Sequence, residues 1–258
     1  RTELYGKVRK WGSIGFIAGV FCIGALLEII QISWLPILLL CIASLAFLWS
    51  FYIKEPTSAP HSQKQLEPLW PILKRPAVAC FFIIEFVLLF SHAPFYSFYS
   101  NYLHQMGYSM GQIGMLWSVG VIAEIIMFTF ANVFLTRFSW RALICSCLIL
   151  TGLRWVIVGL YPHEFAWQFV GQTIHAFSFG LFHMIAMRII FQNFSAGQQG
   201  RGQALYSTMW GLGVASGSVL AGHYWSLLSG QVIFLLAGAS TLAGLFFTAG
   251  LPKKIQMN

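Results

Sequence analysis

Eight uninterrupted apolar stretches, each about 20 residues long, set the limits on this chain. They run over about 11–29, 33–53, 77–99, 113–135, 142–160, 166–190, 204–227 and 231–250. As helices they match the roughly 30 Å hydrocarbon layer of a bilayer, whereas a membrane strand needs about 10 residues that alternate in polarity. In lipid the backbone must satisfy its own hydrogen bonds, so long runs without alternation are read as helices. The composition agrees: 9% of residues are charged and 58% hydrophobic, against roughly 25% charged in soluble domains. An ordinary soluble enzyme and a disordered tail are both excluded. A disulfide scaffold is excluded too, because Cys22, Cys41, Cys80, Cys145 and Cys147 all lie within the apolar runs. The expected fold class is an all-α membrane protein with eight transmembrane helices.

The net charge of +8 resembles a nucleic-acid signal until the charges are placed along the chain. Arg1, Lys7, Arg9 and Lys10 precede the first run, and the turn after it carries no base. Lys54, Lys64, Lys74 and Arg75 fill the next connection, and 100–112 carries none. Arg137 and Arg141, then Arg201, then Lys253 and Lys254 continue the alternation. By the positive-inside rule both ends are expected in the cytoplasm, and the charge reports topology with no nucleic-acid partner.

Lys54–Pro76 is the longest polar segment, and its five prolines mark a linker. It divides the chain into residues 1–53 with two helices and residues 77–251 with six, followed by a tail at 252–258. Six helices behind a long cytoplasmic linker make half of a twelve-helix transporter, with 1–53 ending the other half. Small residues echo between the two parts, Gly15/Gly19 in one and Gly213/Gly217/Ala221 in the other. That spacing lets helix backbones approach closely.

Ionisable residues inside the spans need an account, because each costs about 2.5–3.5 kcal/mol at mid-bilayer even on lenient scales. Glu124 stands at the midpoint of its span and Arg154 just past the midpoint of the next. Glu85 and His92 are seven residues apart, about 20° around one helix face, and Tyr96 and Tyr99 continue that face beyond Pro94. Gln168, Gln172, His175 and His183 fall within an arc of about 80° on another helix. These faces are expected to point into a bundle or a wet cavity. For Glu124 and Arg154 a mutual structural ion pair competes with a transport role. For the glutamines and for Glu85, plain helix–helix hydrogen bonding is the competing reading. A metal site is not expected: Cys145 and Cys147 lack zinc spacing, and His175 and His183 are about 12 Å apart along the axis. No phosphate-binding loop is present, so neither ATP nor another cofactor is expected.

The stretch Tyr5–Ser13 (YGKVRKWGS) resembles the start of the fifth helix in major facilitator superfamily symporters. The resemblance is closest to the phenylpropionic acid transporter branch, related to the nucleoside and lactose proton symporters. It continues through His92 with Tyr96, Leu116–Glu124 (LWSVGVIAE), Arg154-Trp155, and His175 with His183–Arg188 (HMIAMR). The segment Asn132–Arg141 departs from it, keeping the basic residues but lacking the superfamily's Gly and Asp. The resemblance implies that these are helices 5–12 of twelve, in a chain truncated at its N-terminus. It also implies a bacterial inner-membrane transporter and not an enzyme, monomeric when full-length, that moves a small aromatic acid such as phenylpropionate with protons. Nucleoside or sugar uptake, and efflux, are the alternatives within transport, and a membrane-embedded enzyme is a distant one. In the lactose relatives an Arg of the ninth helix and a His of the tenth belong to the coupling network, and Arg154 and His175 resemble them. The carboxylate one turn after that His is replaced here by Ser178. Proton coupling therefore falls to Glu124, with His175 and Glu85. Substrate contact is assigned to Arg154, His92, Tyr96, Tyr99, Gln172 and His183.

Overall fold

The computed structural model describes residues 29–52 and 68–252, together with positions 8, 11, 12, 14, 15, 17–19, 22, 23 and 26. The chain falls into two compact units, one of residues 14–67 and the other of 1–13 with 68–258. In the first unit, α1 (Leu35–Ser50) begins with Pro36 in its opening turn, where a missing N–H removes no helical bond. At 16 residues it is shorter than a full span, and its side chains are largely exposed. Part of the predicted 11–29 span, residue 53 at the end of the next span, residues 54–67 of the predicted linker, and all of the predicted tail except Pro252 lie outside the described residues.

The second unit is built from α2 (Pro76–Gln105), α3 (Met110–Arg137), α4 (Trp140–Leu160), α5 (Phe165–Asn193), α6 (Gln199–Tyr224) and α7 (Gly230–Gly250). Among the described residues, α2, α3, α4, α5 and α7 are long and apolar enough to cross a membrane. The predicted span over 204–227 corresponds to α6, whose 26 residues are less apolar than those five. The reason is compositional: it trades large apolar side chains for glycine, serine and threonine. No strand occurs among the described residues, and the protein is an all-α membrane protein.

Local signals fix the helix ends. At the end of α2, Gly107 takes φ +91°, a left-handed value that glycine adopts without strain. The Tyr108 and Gly107 amides then close onto the Leu103 and His104 carbonyls, a Schellman turn. Ser109 opens α3 by accepting from the Gln112 amide while the Gln112 side chain accepts from the Ser109 amide. Ser139 and Ser229 cap α4 and α7 in the same way, without the reciprocal bond.

Small residues set the helix spacing. A Cβ at Gly213 would lie 2.7 Å from the Phe86 carbonyl oxygen, and one at Gly217 would lie 2.5 Å from that of Phe90. Pro94 has no N–H to give the Phe90 carbonyl, so α2 is open on this face and α6 packs against it. The expected Gly213/Gly217 approach is therefore made, against α2. On the other side of the bundle, Gly120 of α3 faces Gln172, and Gly180 of α5 faces Met127 and Glu124. Two apolar clusters result. One holds Phe81, Leu88, Met127, Leu148 and Phe182, and the other holds Phe95, Tyr99, Leu116, Trp155 and Phe234. On α2, α3 and α4, His92, Glu124 and Arg154 fall in the stretches between the clusters.

Candidate functional site

Three helices place one ionisable group each at the same depth. Glu124 lies in the middle of α3, Arg154 in the second half of α4, and His175 where α5 changes form. From Ala176 to Leu181, α5 is a π-helix, one wider turn between two α-helical stretches. Such turns release local hydrogen bonds and are frequent at functional sites. Here the wide turn follows His175 directly and carries Ser178 and Gly180, the latter against α3.

The geometry orders the three groups in a line. His175 Nε2 lies 2.9 Å from a Glu124 carboxylate oxygen, and an Arg154 Nη1 donates to His175 Nδ1 at 3.1 Å. A guanidinium has only donors, so Nδ1 must offer its lone pair and Nε2 must carry the ring proton. The imidazole is then neutral, accepting from Arg154 and donating to Glu124. Arg154 is 0% exposed and Glu124 7% exposed, so both ends of this line are buried.

Aromatic rings shield the guanidinium. Its Cζ lies 4.1 Å from the centroid of Phe95 and 4.4 Å from that of Trp155. Desolvated contacts of this kind contribute on the order of 2 kcal/mol and offset part of the burial cost. The second Nη reaches Gln172 Oε1 at 3.4 Å, a long bond. Arg154 Nε and Gln172 Nε2 have no hydrogen-bond partner. The Trp155 indole donates to Ser91 at 3.3 Å, tying α4 to α2.

The other predicted residues divide between this site and its surroundings. His92 joins it, with its ring 4.9 Å from Trp155 and 6.1 Å from His175. Tyr96 packs its ring 5.9 Å from His92 and stays half-buried. Tyr99 is buried and donates to Gln168 at 3.1 Å, while Gln168 donates to the Tyr161 carbonyl at 3.0 Å. Glu85 is fully buried two turns before His92, with neither carboxylate oxygen hydrogen-bonded. His183 stands apart. Phe179 stacks between it and His175, and its Nδ1 is 3.0 Å from the Tyr206 hydroxyl of α6. The wide turn of α5 lies between the two histidines, yet the ring column His175–Phe179–His183 keeps them on one face, separated along the axis.

Sequence reasoning missed two features. Tyr206 gave one usable signal, since a tyrosine in a membrane helix needs a partner for its hydroxyl. The π-turn gave none, because Ala176–Leu181 reads as an ordinary apolar segment. Among the described residues, no cluster of three His, Cys, Asp or Glu side chains could hold a metal ion.

The chain is 32% identical over 246 residues to the probable 3-phenylpropionic acid transporter of Escherichia coli K12, covering 90% of this chain and 62% of that protein. It is 24% identical over 260 residues to the uncharacterized transporter YwbF of Bacillus subtilis 168, covering 96% and 62%. It is 36% identical over 70 residues to the inner membrane protein YqcE of Escherichia coli K12, covering 25% and 16%. The chain thus spans less than two thirds of the length of the relatives it matches most fully. The profile of the MFS_1 like family matches residues 1–236, and with eight apolar runs and a buried polar centre behind that match, the chain belongs to this family of major facilitator transporters.

Proposed function

We propose that this chain forms the substrate and coupling half of a proton symporter for small aromatic carboxylic acids. The carrying observation is the line Arg154–His175–Glu124, in which a neutral imidazole joins a cation to a carboxylate. Each end of the line answers to a different cargo. An incoming carboxylate competes for the Arg154 donors in bidentate fashion and draws them away from His175 Nδ1. That nitrogen is then free to take a proton. A proton arriving at Glu124 removes the negative charge, and the bond from Nε2–H loses its charge assistance, which is roughly half its strength. Anion binding and proton loading thus act on one imidazole from opposite sides.

Supporting residues follow from their positions. Gln172 adds an amide donor beside Arg154, while Phe95, Tyr96 and Trp155 give a planar substrate aromatic faces. Glu85 is the second candidate proton carrier, since a buried carboxyl without a partner is costly to keep charged. The E. coli relative, by name a probable 3-phenylpropionic acid transporter, favours an aromatic acid over a sugar or nucleoside. The alternation of basic connections favours cytoplasmic ends for the chain. The proline-rich segment 54–76 is read as the linker between two six-helix halves.

The test is accumulation of labelled 3-phenylpropionate by cells expressing the complete reading frame, with an imposed proton gradient and with an uncoupler. Gradient-dependent accumulation is expected. If no aromatic acid accumulates under any gradient, the symport reading falls.

A further inference from the structure

The polar atoms around Arg154 do not balance. Arg154 Nε–H and the Gln172 amide nitrogen are donors awaiting an acceptor, which a carboxylate supplies. His92 is the opposite case. Its Nδ1 lies 2.8 Å from the Leu88 carbonyl, which can only accept, so Nδ1 holds the ring proton and Nε2 holds a lone pair. His92 is 1% exposed, and its Nε2 has no hydrogen-bond partner. The Leu88 bond holds the ring in place, and Trp155 packs edge-on against it at 78°. A fixed, buried acceptor is therefore presented beside two buried donors.

The acceptor and the cation share one aromatic neighbour. The imidazole of His92 and the guanidinium of Arg154 both lie against Trp155, 4.9 Å and 4.4 Å from its rings. Phe95 links the same two neighbourhoods, 5.7 Å from Trp155 and 5.5 Å from Tyr96. An aromatic acid has the required shape, with its carboxylate at one end and its ring at the other. We infer that His92 Nε2 recognises a hydrogen-bond donor on the ring of the substrate, so that the preferred class is a hydroxylated or aminated aromatic carboxylic acid. This assignment rests on the aromatic-acid reading above and narrows it. A plain phenyl ring leaves Nε2 unpaired, and a site built around a substrate hydroxyl discriminates strongly against the analogue that lacks it.

The experiment uses cells expressing the complete reading frame and two tracers, labelled 3-phenylpropionate and labelled 3-(4-hydroxyphenyl)propionate. Each is competed with 3-phenylpropionate, its 3-hydroxy, 4-hydroxy and 4-amino ring derivatives, and the matching methyl ethers. At least one donor-bearing acid is expected to compete about tenfold better than both its ether and the parent. His92→Leu should compress that ratio to within about twofold, while His92→Gln, which keeps an acceptor, should retain part of it. Equal competition by hydroxyl, ether and parent in the unmodified transporter overturns the assignment and leaves the aromatic-acid reading standing. So does a ratio that survives His92→Leu. If that variant fails to reach the membrane, the wild-type ratio and the His92→Gln ratio decide. If no aromatic acid is taken up at all, both readings fall together.

Discussion

Two of the glycine-bearing helix seams in this protein differ in what the glycine faces. Between α2 and α6, Gly213 and Gly217 look onto the backbone of α2, with the Phe90 carbonyl and the Ala93 methyl closest to Gly217. Neither neighbour can swing aside. Between α3 and α5, Gly120 looks onto the amide end of Gln172, a side chain with rotamer freedom. That seam also carries the Glu124–His175 contact and the wide turn of α5. The first seam is closed mainly by shape, with a hydrogen bond between the neutral hydroxyls of Ser97 and Ser218. The second is closed by polar contacts that a proton or an anion can exchange, so the groups that respond to cargo lie where the packing can yield.

Substitutions at the two seams should separate these roles. Gly217→Leu should have the largest effect, because a branched side chain cannot enter a site where even a Cβ would meet a carbonyl oxygen at 2.5 Å. Overpacking on that scale costs about 3 kcal/mol or more, and recovery of monodisperse protein from membranes should collapse. Normal recovery would show that α6 is free to move off α2. Glu124→Gln keeps the shape and loses the charge. It should abolish gradient-driven accumulation of 3-phenylpropionate while sparing exchange of labelled for unlabelled substrate, and retained accumulation would remove Glu124 as proton carrier. Arg154→Lys keeps the charge but loses the bidentate fork and much of the stacking on Phe95 and Trp155. Transport of anions should fall about tenfold or more, with neutral analogues less affected. Equal losses for both would point to a structural role. Gly120→Ala should be the mildest. Its methyl meets Gln172 Oε1 at 3.0 Å, and the amide can turn away at a cost of about 1 kcal/mol. Thermal stability in detergent should hardly change, while apparent substrate affinity drops a few-fold; a large stability loss would make this seam as rigid as the other.

The bundle was legible in the sequence because lipid leaves the backbone few choices. A 30-residue helix such as α2 is visible as an apolar run, and its end at Gly107 is visible as a glycine after a polar turn. The candidate site was legible as a list. Glu124 and Arg154 stand out because charge inside a span needs an account. His92, Gln172 and His175 follow from helical rotation. The same rotation grouped His183 with them, and Phe179 does stack between His175 and His183, but the rise along α5 carries His183 to Tyr206.

The sequence by itself thus determined the helices, their polar faces and the small set of residues that a membrane tolerates only with partners. Tertiary structure decided who those partners are. A direct Glu124–Arg154 pair was one reading of the sequence, and the fold instead sets His175 between the two groups, 2.9 Å from one and 3.1 Å from the other. It also leaves the lone pair of His92 on Nε2 by committing the Nδ1 proton to the Leu88 carbonyl. Helical periodicity gives the direction a side chain leaves its own axis. Which neighbour it meets depends on how closely the axes approach, and that is set by glycines, a proline and one wide turn acting together across four helices.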